Sequence, residues 1–247
     1  MSFLSWNPVG ERLKAWHGEE WHTSKGRVIR DVVYAIDTGL VTTVSFLAGV
    51  SVSLVTRNKV VLAGVIQIIS GVTAIFFGSY ISTKAQKHFF ESQIERERKE
   101  IEDDPEKETG EIRAIFAQMN FTPEEQEVAV RRITADKDTW LKFMIQEEIG
   151  ITPGFIDKPL EIGLISAFSF FIGALPAVLP FFIFKGVPRA LAVSALTVLV
   201  FLFAVGVAKT KITRMHWLAS GVETLLIGLV SCSLGFFLGR IVSSYFH

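Results

Sequence analysis

The chain has 247 residues, and its 25 Lys and Arg are balanced by 25 Asp and Glu, for a formal net charge of zero. That balance excludes the broad basic footprint of a nucleic-acid-binding protein. Hydrophobic residues make up 49% of the chain, mean hydropathy is +0.39, and the apolar residues cluster in long runs, which excludes an ordinary soluble globule and reads as an all-α, multi-pass membrane protein.

Residues 1–30 form a polar arm. Arg12, Lys14, Lys25 and Arg27 alternate with Trp6, Trp16 and Trp21, a composition suited to the membrane interface. The arm has no apolar core of a cleavable signal, so the first apolar run is expected to act as the membrane signal. His17 and His22 flank Glu19 and Glu20, which reads either as a metal-binding pattern or as a solvent-facing pair.

Five apolar runs follow, at about 32–55, 60–81, 160–184, 187–208 and 217–242. Each is long enough for a hydrocarbon layer of ~30 Å at about 1.5 Å per residue. The second and fifth carry heptad glycines: Gly64, Gly71 and Gly78, then Gly221, Gly228 and Gly235. Such stripes predict close helix packing. Cys232, the one cysteine, lies in the fifth run and has no intrachain partner for a disulfide. The expected division is an arm at 1–30, spans one and two at 31–83, an inserted helical domain at 84–158, and spans three to five at 159–247.

The helical pattern of run two continues past Lys84 without a breaker until Asp104, and Pro105 stops it. Run two and the first acidic stretch are therefore expected to be one long rod. Further helices are predicted at about 106–119, 123–133 and 137–149. The middle one opens on Thr122-Pro123-Glu124-Glu125, a capping box with proline at its first position. Lys and Arg set direction. The arm, the acidic segment and a predicted loop at 209–214 with Lys209, Lys211 and Arg214 share one side, which the positive-inside rule makes cytosolic. The odd number of spans places His247 opposite.

Most of the acidic residues lie in 84–158. Glu97 and Glu100, and then Glu108 and Glu111, are spaced i, i+3, and Met144 and Glu148 are spaced i, i+4. On helices each pair faces one way. Two readings stand on spacing alone. One is a carboxylate site with a thioether for a divalent cation, the sulfur favouring Fe²⁺ over Mg²⁺ or Ca²⁺. The other is a solvated, salt-bridged face, since Arg96, Arg98, Lys99, Lys107 and Arg113 are interleaved. Within the apolar runs, Asp37 and Glu223 stand out, because a charge there is costly and usually faces a pathway or a partner. Thr38, Thr42 and Thr43 add hydroxyls beside Asp37.

The chain resembles the vacuolar iron transporter family. The residues that carry the likeness are Arg30-Asp-Val-Val-Tyr-Ala-Ile-Asp-Thr-Gly-Leu-Val-Thr-Thr43 in span one, Gly78-Ser-Tyr-Ile-Ser-Thr-Lys84 after span two, the two glutamate pairs around Pro105, Trp140-Leu-Lys-Phe-Met144 with Glu148, and Gly173-Ala-Leu-Pro-Ala-Val-Leu-Pro180 in span three. The resemblance implies a five-span homodimer that moves Fe²⁺, and often Mn²⁺, out of the cytosol by proton antiport. It also implies a cytosolic metal-binding domain between spans two and three, with Glu97, Glu100, Glu108, Glu111, Met144 and Glu148 as ligands. Asp37, Thr38, Thr42 and Glu223 are the candidates for the transport path. The expected residence is a prokaryotic cell membrane or an intracellular, vacuole-type membrane. Metal is the cargo, no catalytic cofactor is expected, and the chain reads as a carrier rather than an enzyme.

Two positions depart from the family pattern. Asp37-Thr38-Gly39 stands where Asn-Asp-Gly is common, which turns the acid about 100° around the helix. Ile75 stands where a methionine is common. These departures leave open a membrane-anchored iron buffer or sensor that binds metal without conducting it. A di-iron oxidase would need Glu-x-x-His pairs, and His88, the acidic segment's histidine, has no acid three residues before it.

Overall fold

The computed structural model describes residues 25–53, 56–148, 150, 157–213 and 216–245. The arm with its tryptophans, His17 and His22 lies outside the described residues. Among those described there are eight helices and no strand: α1 Lys25–Ser53, α2 Arg57–Asp103, α3 Pro105–Gln118, α4 Pro123–Ile133, α5 Lys137–Glu147, α6 Pro159–Ile183, α7 Val187–Thr213 and α8 Trp217–Tyr245. Contacts divide the chain into two compact units. One runs from residue 82 to 158 and the other combines 26–81 with 159–247.

The second unit holds the apolar runs. Five helices, α1, α2, α6, α7 and α8, are long and apolar enough to cross a membrane. The apolar stretch of α2 ends near Ile81, and the rest of the helix is mostly polar, with Phe89, Phe90, Ile94 and Ile101 among the charged residues. Of the five, α6 is the most enclosed and α8 the least. Phe170, Ala174, Ala177 and Phe181 of α6 pack with Leu40, Val44 and Leu47 of α1 and Val198 and Leu202 of α7. Large apolar side chains such as Phe168, Leu196, Ile227 and Phe237 are exposed. That distribution suits a unit whose solvent is hydrocarbon.

Backbones approach most closely where α1 crosses α6 and, through Gly49, Gly235 and Gly239, where it crosses α8. A methyl group on Gly39 would collide with the Phe170 carbonyl, and one on Gly173 with that of Ile36. Only glycine lets two backbones approach so closely. The heptad glycines divide: Gly235 of α8 meets the Ser45 backbone of α1, the close approach expected of a glycine stripe, whereas those of α2 do not meet backbone. Gly64 and Gly71 are filled by side chains, Leu47 and Val178 at the first and the Phe170 ring at the second, while Gly78 has nothing near it.

Pro176 and Pro180 sit inside α6, which continues through both. At the end of that helix, Arg57 Nε donates to Phe181 O at 2.8 Å and its Nη2 to Phe182 O at 2.5 Å. A guanidinium suits the negative end of a helix, whose last carbonyls lack intrahelical partners. One boundary corrects the sequence reading. The loop predicted to begin at Lys209 is helical as far as Thr213, because nothing between Ala208 and Thr213 breaks a helix. Lys209 therefore projects from α7.

In the acidic unit, α2 runs unbroken to Asp103. The Asp104 side chain accepts from Lys107 N and starts α3 with Pro105 in its first turn. The Thr122 capping box forms as expected, and Asp136 caps α5. Amphipathic faces bury Ile101, Ile112, Val130, Trp140, Leu141, Met144 and Ile145 together, bordered by Phe90, Phe116 and Phe143. The Phe116 and Phe143 rings stack with centroids 5.5 Å apart.

Candidate metal centre

The acidic unit gathers carboxylates from three places. Glu97 comes from α2, Glu108 from α3, and Glu148 from the residue just after α5. Each offers an oxygen, and the three oxygens lie within 4.8 Å of one another. Glu97 and Glu108 are 2% and 1% exposed, whereas Glu148 is exposed. These levels exclude a fully solvated face for the first two. The rim differs from the centre. Glu100 accepts from Arg96 Nε at 2.9 Å. Glu111 lies 3.1 Å from Lys107 Nζ, which also reaches Glu108 at 3.5 Å. The salt-bridged face expected from the interleaved bases thus exists, at Glu100 and Glu111. Met144 is fully buried in the apolar core.

The electrostatics are those of a site short of positive charge. Burial first, then the charges of Glu148, Glu108 and Glu100, push the Glu97 carboxyl up to about 8. Glu108 is raised by burial and by Glu111, against the opposing pull of Lys107. Glu148 is raised by burial, Glu111 and Glu108. Glu97 Oε1 and Glu108 Oε2 are buried and receive no hydrogen bond. Like charges about 4 Å apart repel by roughly 4 kcal/mol at an effective dielectric near 20. Three ionised carboxylates at such range therefore require protons or a cation. Oxygen donors of this kind fit a hard or borderline divalent ion.

The membrane-type unit holds the other candidates. Asp37 is partly buried, and its Oδ1 is buried without a hydrogen-bond partner. Thr38 Oγ1 donates to Tyr34 O, and Thr42 Oγ1 to Thr38 O, each at 2.6 Å. Tyr34 and Thr42 are exposed and Thr38 half-buried, so residues at i, i+4 and i+8 form an outward polar stripe. Thr43 is fully buried. Glu223 is exposed, and its neighbour Thr224 is buried. Ile75 packs against the apolar core. Lys209, read from the sequence only as a basic loop residue that sets sidedness, donates its Nζ proton to Thr224 Oγ1 at 3.1 Å. The sequence signal for that contact was a lysine directly abutting an apolar run.

Comparison with known proteins places this geometry in context. The sequence pattern of the VIT family matches residues 29–240. Vacuolar iron transporter 1 of Arabidopsis thaliana is 27% identical over 226 residues, which cover 92% of this chain and 90% of that protein. Vacuolar iron transporter 1 of Tulipa gesneriana is 26% identical over 237 residues, 96% of either chain. The vacuolar iron transporter of Plasmodium falciparum is 24% identical over 237 residues, covering 92% of this chain and 86% of its own. The family match spans both the apolar helices and the carboxylate cluster, and the chain belongs to the VIT family.

Proposed function

We propose that the protein is a divalent-metal transporter that moves Fe²⁺, and also Mn²⁺, out of the cytosol into an intracellular, vacuole-type compartment, in exchange for protons. The observation that carries this reading is the cluster of Glu97, Glu108 and Glu148 in a member of a family whose named relatives are iron transporters. The acidic unit faces the cytosol and captures the ion there. Glu97, Glu108 and Glu148 supply the central oxygens. Glu100 and Glu111 turn toward the ion when it arrives, leaving Arg96 and Lys107, and Met144 adds its thioether.

Transfer then follows the polar stripe of α1. The hydroxyl protons of Thr38 and Thr42 point to helix carbonyls. Their oxygen lone pairs therefore remain available to a cation that has shed water. Asp37 supplies the charge. A second copy facing the stripe would shield it from lipid, which makes a homodimer the transporting form. Glu223, on the exposed side of α8, belongs to the entrance rather than to the packed interior.

The test is flux. Purified full-length protein in liposomes, with Fe²⁺ outside under reducing conditions and a proton gradient imposed, is expected to load metal and release protons. Binding of Fe²⁺ without flux of any metal tried, under a gradient of either sign, would make the protein a buffer instead. Capture is tested separately. Glu108→Gln with Glu111→Gln is expected to weaken metal binding on the order of tenfold or more, since even partners of ligands are worth that much. Helical content should hold, because Glu and Gln have similar helix propensity. Unchanged stoichiometry and affinity by calorimetry would return both residues to the salt-bridged face.

A further inference from the structure

A cavity of about 400 Å³ lies between α1, α7 and α8, a volume within the ~300–1,000 Å³ of clefts that hold ligands. Ala48 of α1, Leu191 and Ala195 of α7, and Cys232 and Phe236 of α8 are among its walls. The lining is almost wholly apolar, and the Ser233 hydroxyl at its edge donates to Leu229 O within α8 at 2.8 Å. One end of the cavity carries charge of a single sign. α7 and α8 run antiparallel, with Gly221 against Phe203 and Gly228 against Leu202. Continued along both helices, that pairing brings Arg189, near the start of α7, level with Arg240, near the end of α8. Arg189 stands one turn before Ala192, and Arg240 one turn after Phe236 and Phe237, and all three of those residues line the cavity. Both arginines are exposed, and neither pairs with a described residue. Residues 56–60, 182–190 and 238–245, at this end of the unit, contain no Asp or Glu and add Lys59 and Lys185. Arg57 is engaged by the last carbonyls of α6.

We propose that this cavity is a phospholipid site, in which one acyl chain lies between α1, α7 and α8 while Arg189 and Arg240 hold the headgroup phosphate. The apolar walls ask for a hydrocarbon occupant, and the satisfied Ser233 hydroxyl asks for no polar one. A guanidinium matches phosphate oxygens with paired donors, and its long stem reaches the headgroup level from an apolar surface. Two such groups with no acid beside them favour an anionic headgroup over a zwitterionic one, whose own ammonium they repel. The same charge disfavours a second copy of this chain as occupant. A symmetric contact would set the face against itself and bring both pairs of arginines together, and like charges so placed oppose association. With the chain in place, the least enclosed of the five long helices is tied to two others. The site stands on the cavity and the arginines and is independent of whether metal is transported.

The experiment uses purified full-length protein in detergent, with phosphatidylglycerol, phosphatidylcholine or the chainless glycerol 3-phosphate added. Native mass spectrometry counts bound lipid, and thermal melting reads stabilisation, since a ligand of the folded state raises the melting temperature. Phosphatidylglycerol is expected to bind wild type and to raise its melting temperature by about 3 °C, with a smaller rise for phosphatidylcholine and none for glycerol 3-phosphate. Arg189→Gln with Arg240→Gln should weaken phosphatidylglycerol binding roughly twentyfold, about fivefold per guanidinium. Ala195→Phe, which fills the cavity, should remove that binding. Should Ala195→Phe not fold, the arginine variant decides alone, since it alters only exposed positions. Phosphatidylglycerol binding left unchanged in either folded variant would show that only surrounding lipid was counted, and would overturn the proposal. Equal stabilisation by glycerol 3-phosphate would overturn it too, because no chain would then enter the cavity. An Ala195→Phe protein that falls to a smaller oligomer would make the cavity a seat for protein instead, and the phospholipid site would again be overturned.

Discussion

At the residue scale, Glu97 shows how burial and like charge together prepare a site. Its carboxyl titrates near 8 when no metal is present, for reasons of burial first and of Glu148, Glu108 and Glu100 next. An unfolded chain would titrate it at about 4.3. The folded form therefore holds the proton more tightly. The stability this contributes is fully present below about 4.3 and is lost as pH rises through about 8. The metal-free acidic unit should accordingly be less protected at pH 8.5 than at pH 6. Hydrogen exchange of the α3 and α5 amides in the chelated, full-length protein, corrected for intrinsic rates, is the measurement. Glu97→Gln, which cannot ionise, should flatten the difference. Added Fe²⁺ should reverse it, because metal displaces the proton and binds more tightly as pH rises. Equal protection at both pH values in the wild type would mean that Glu97 is not held protonated.

At the element scale, the helices owe their limits to local chemistry that a sequence displays openly. Pro105 after Asp104, and the Thr122 box with Pro123, mark starts that tertiary packing did not override. The end of α7 was hidden, because Lys209 and Lys211 look like loop residues when only apolarity is counted, yet nothing there breaks a helix. The i, i+3 acid pairs were legible as pairs. Which member of each turns inward was not, because it depends on how α2 and α3 are rotated, and the structure buries Glu97 and Glu108 while leaving Glu100 and Glu111 with Arg96 and Lys107. Glycine stripes were likewise visible but not their partners. Gly39 and Gly173 oppose backbone, and Gly78 opposes nothing. Gly78→Ala is thus expected to be neutral or stabilising by up to about 1 kcal/mol, whereas Gly173→Val should prevent α1 and α6 from closing and lower the yield of folded protein severely. Detergent size-exclusion and thermal melting would check both, and a well-folded Gly173→Val protein would mean that α1 and α6 do not close backbone to backbone at Gly173.

At the scale of the whole molecule, function turns on whether metal crosses by way of α1. A cation entering a ~30 Å apolar layer must exchange its water for protein oxygens. On α1 these are Asp37 and the outward hydroxyls of Thr38 and Thr42. Ile75, which packs against the core from α2, offers no ligand, so the carboxylate would bear more of the load. Asp37→Asn keeps the shape and one oxygen but removes the charge that offsets the cation's loss of hydration. It should abolish or sharply reduce Fe²⁺ flux in proteoliposomes. Expression, dimer formation and metal binding by the acidic unit should stay intact, since that unit is built from residues 82–158. Sidedness enters the same measurement. A single cysteine placed at residue 2 or in the acidic unit should label from the cytosolic face and one at 247 from the other, in both wild type and variant, so that lost flux is not mistaken for inverted insertion. An Asp37→Asn protein that is correctly inserted and moves metal as fast as wild type would show that the path avoids this carboxylate.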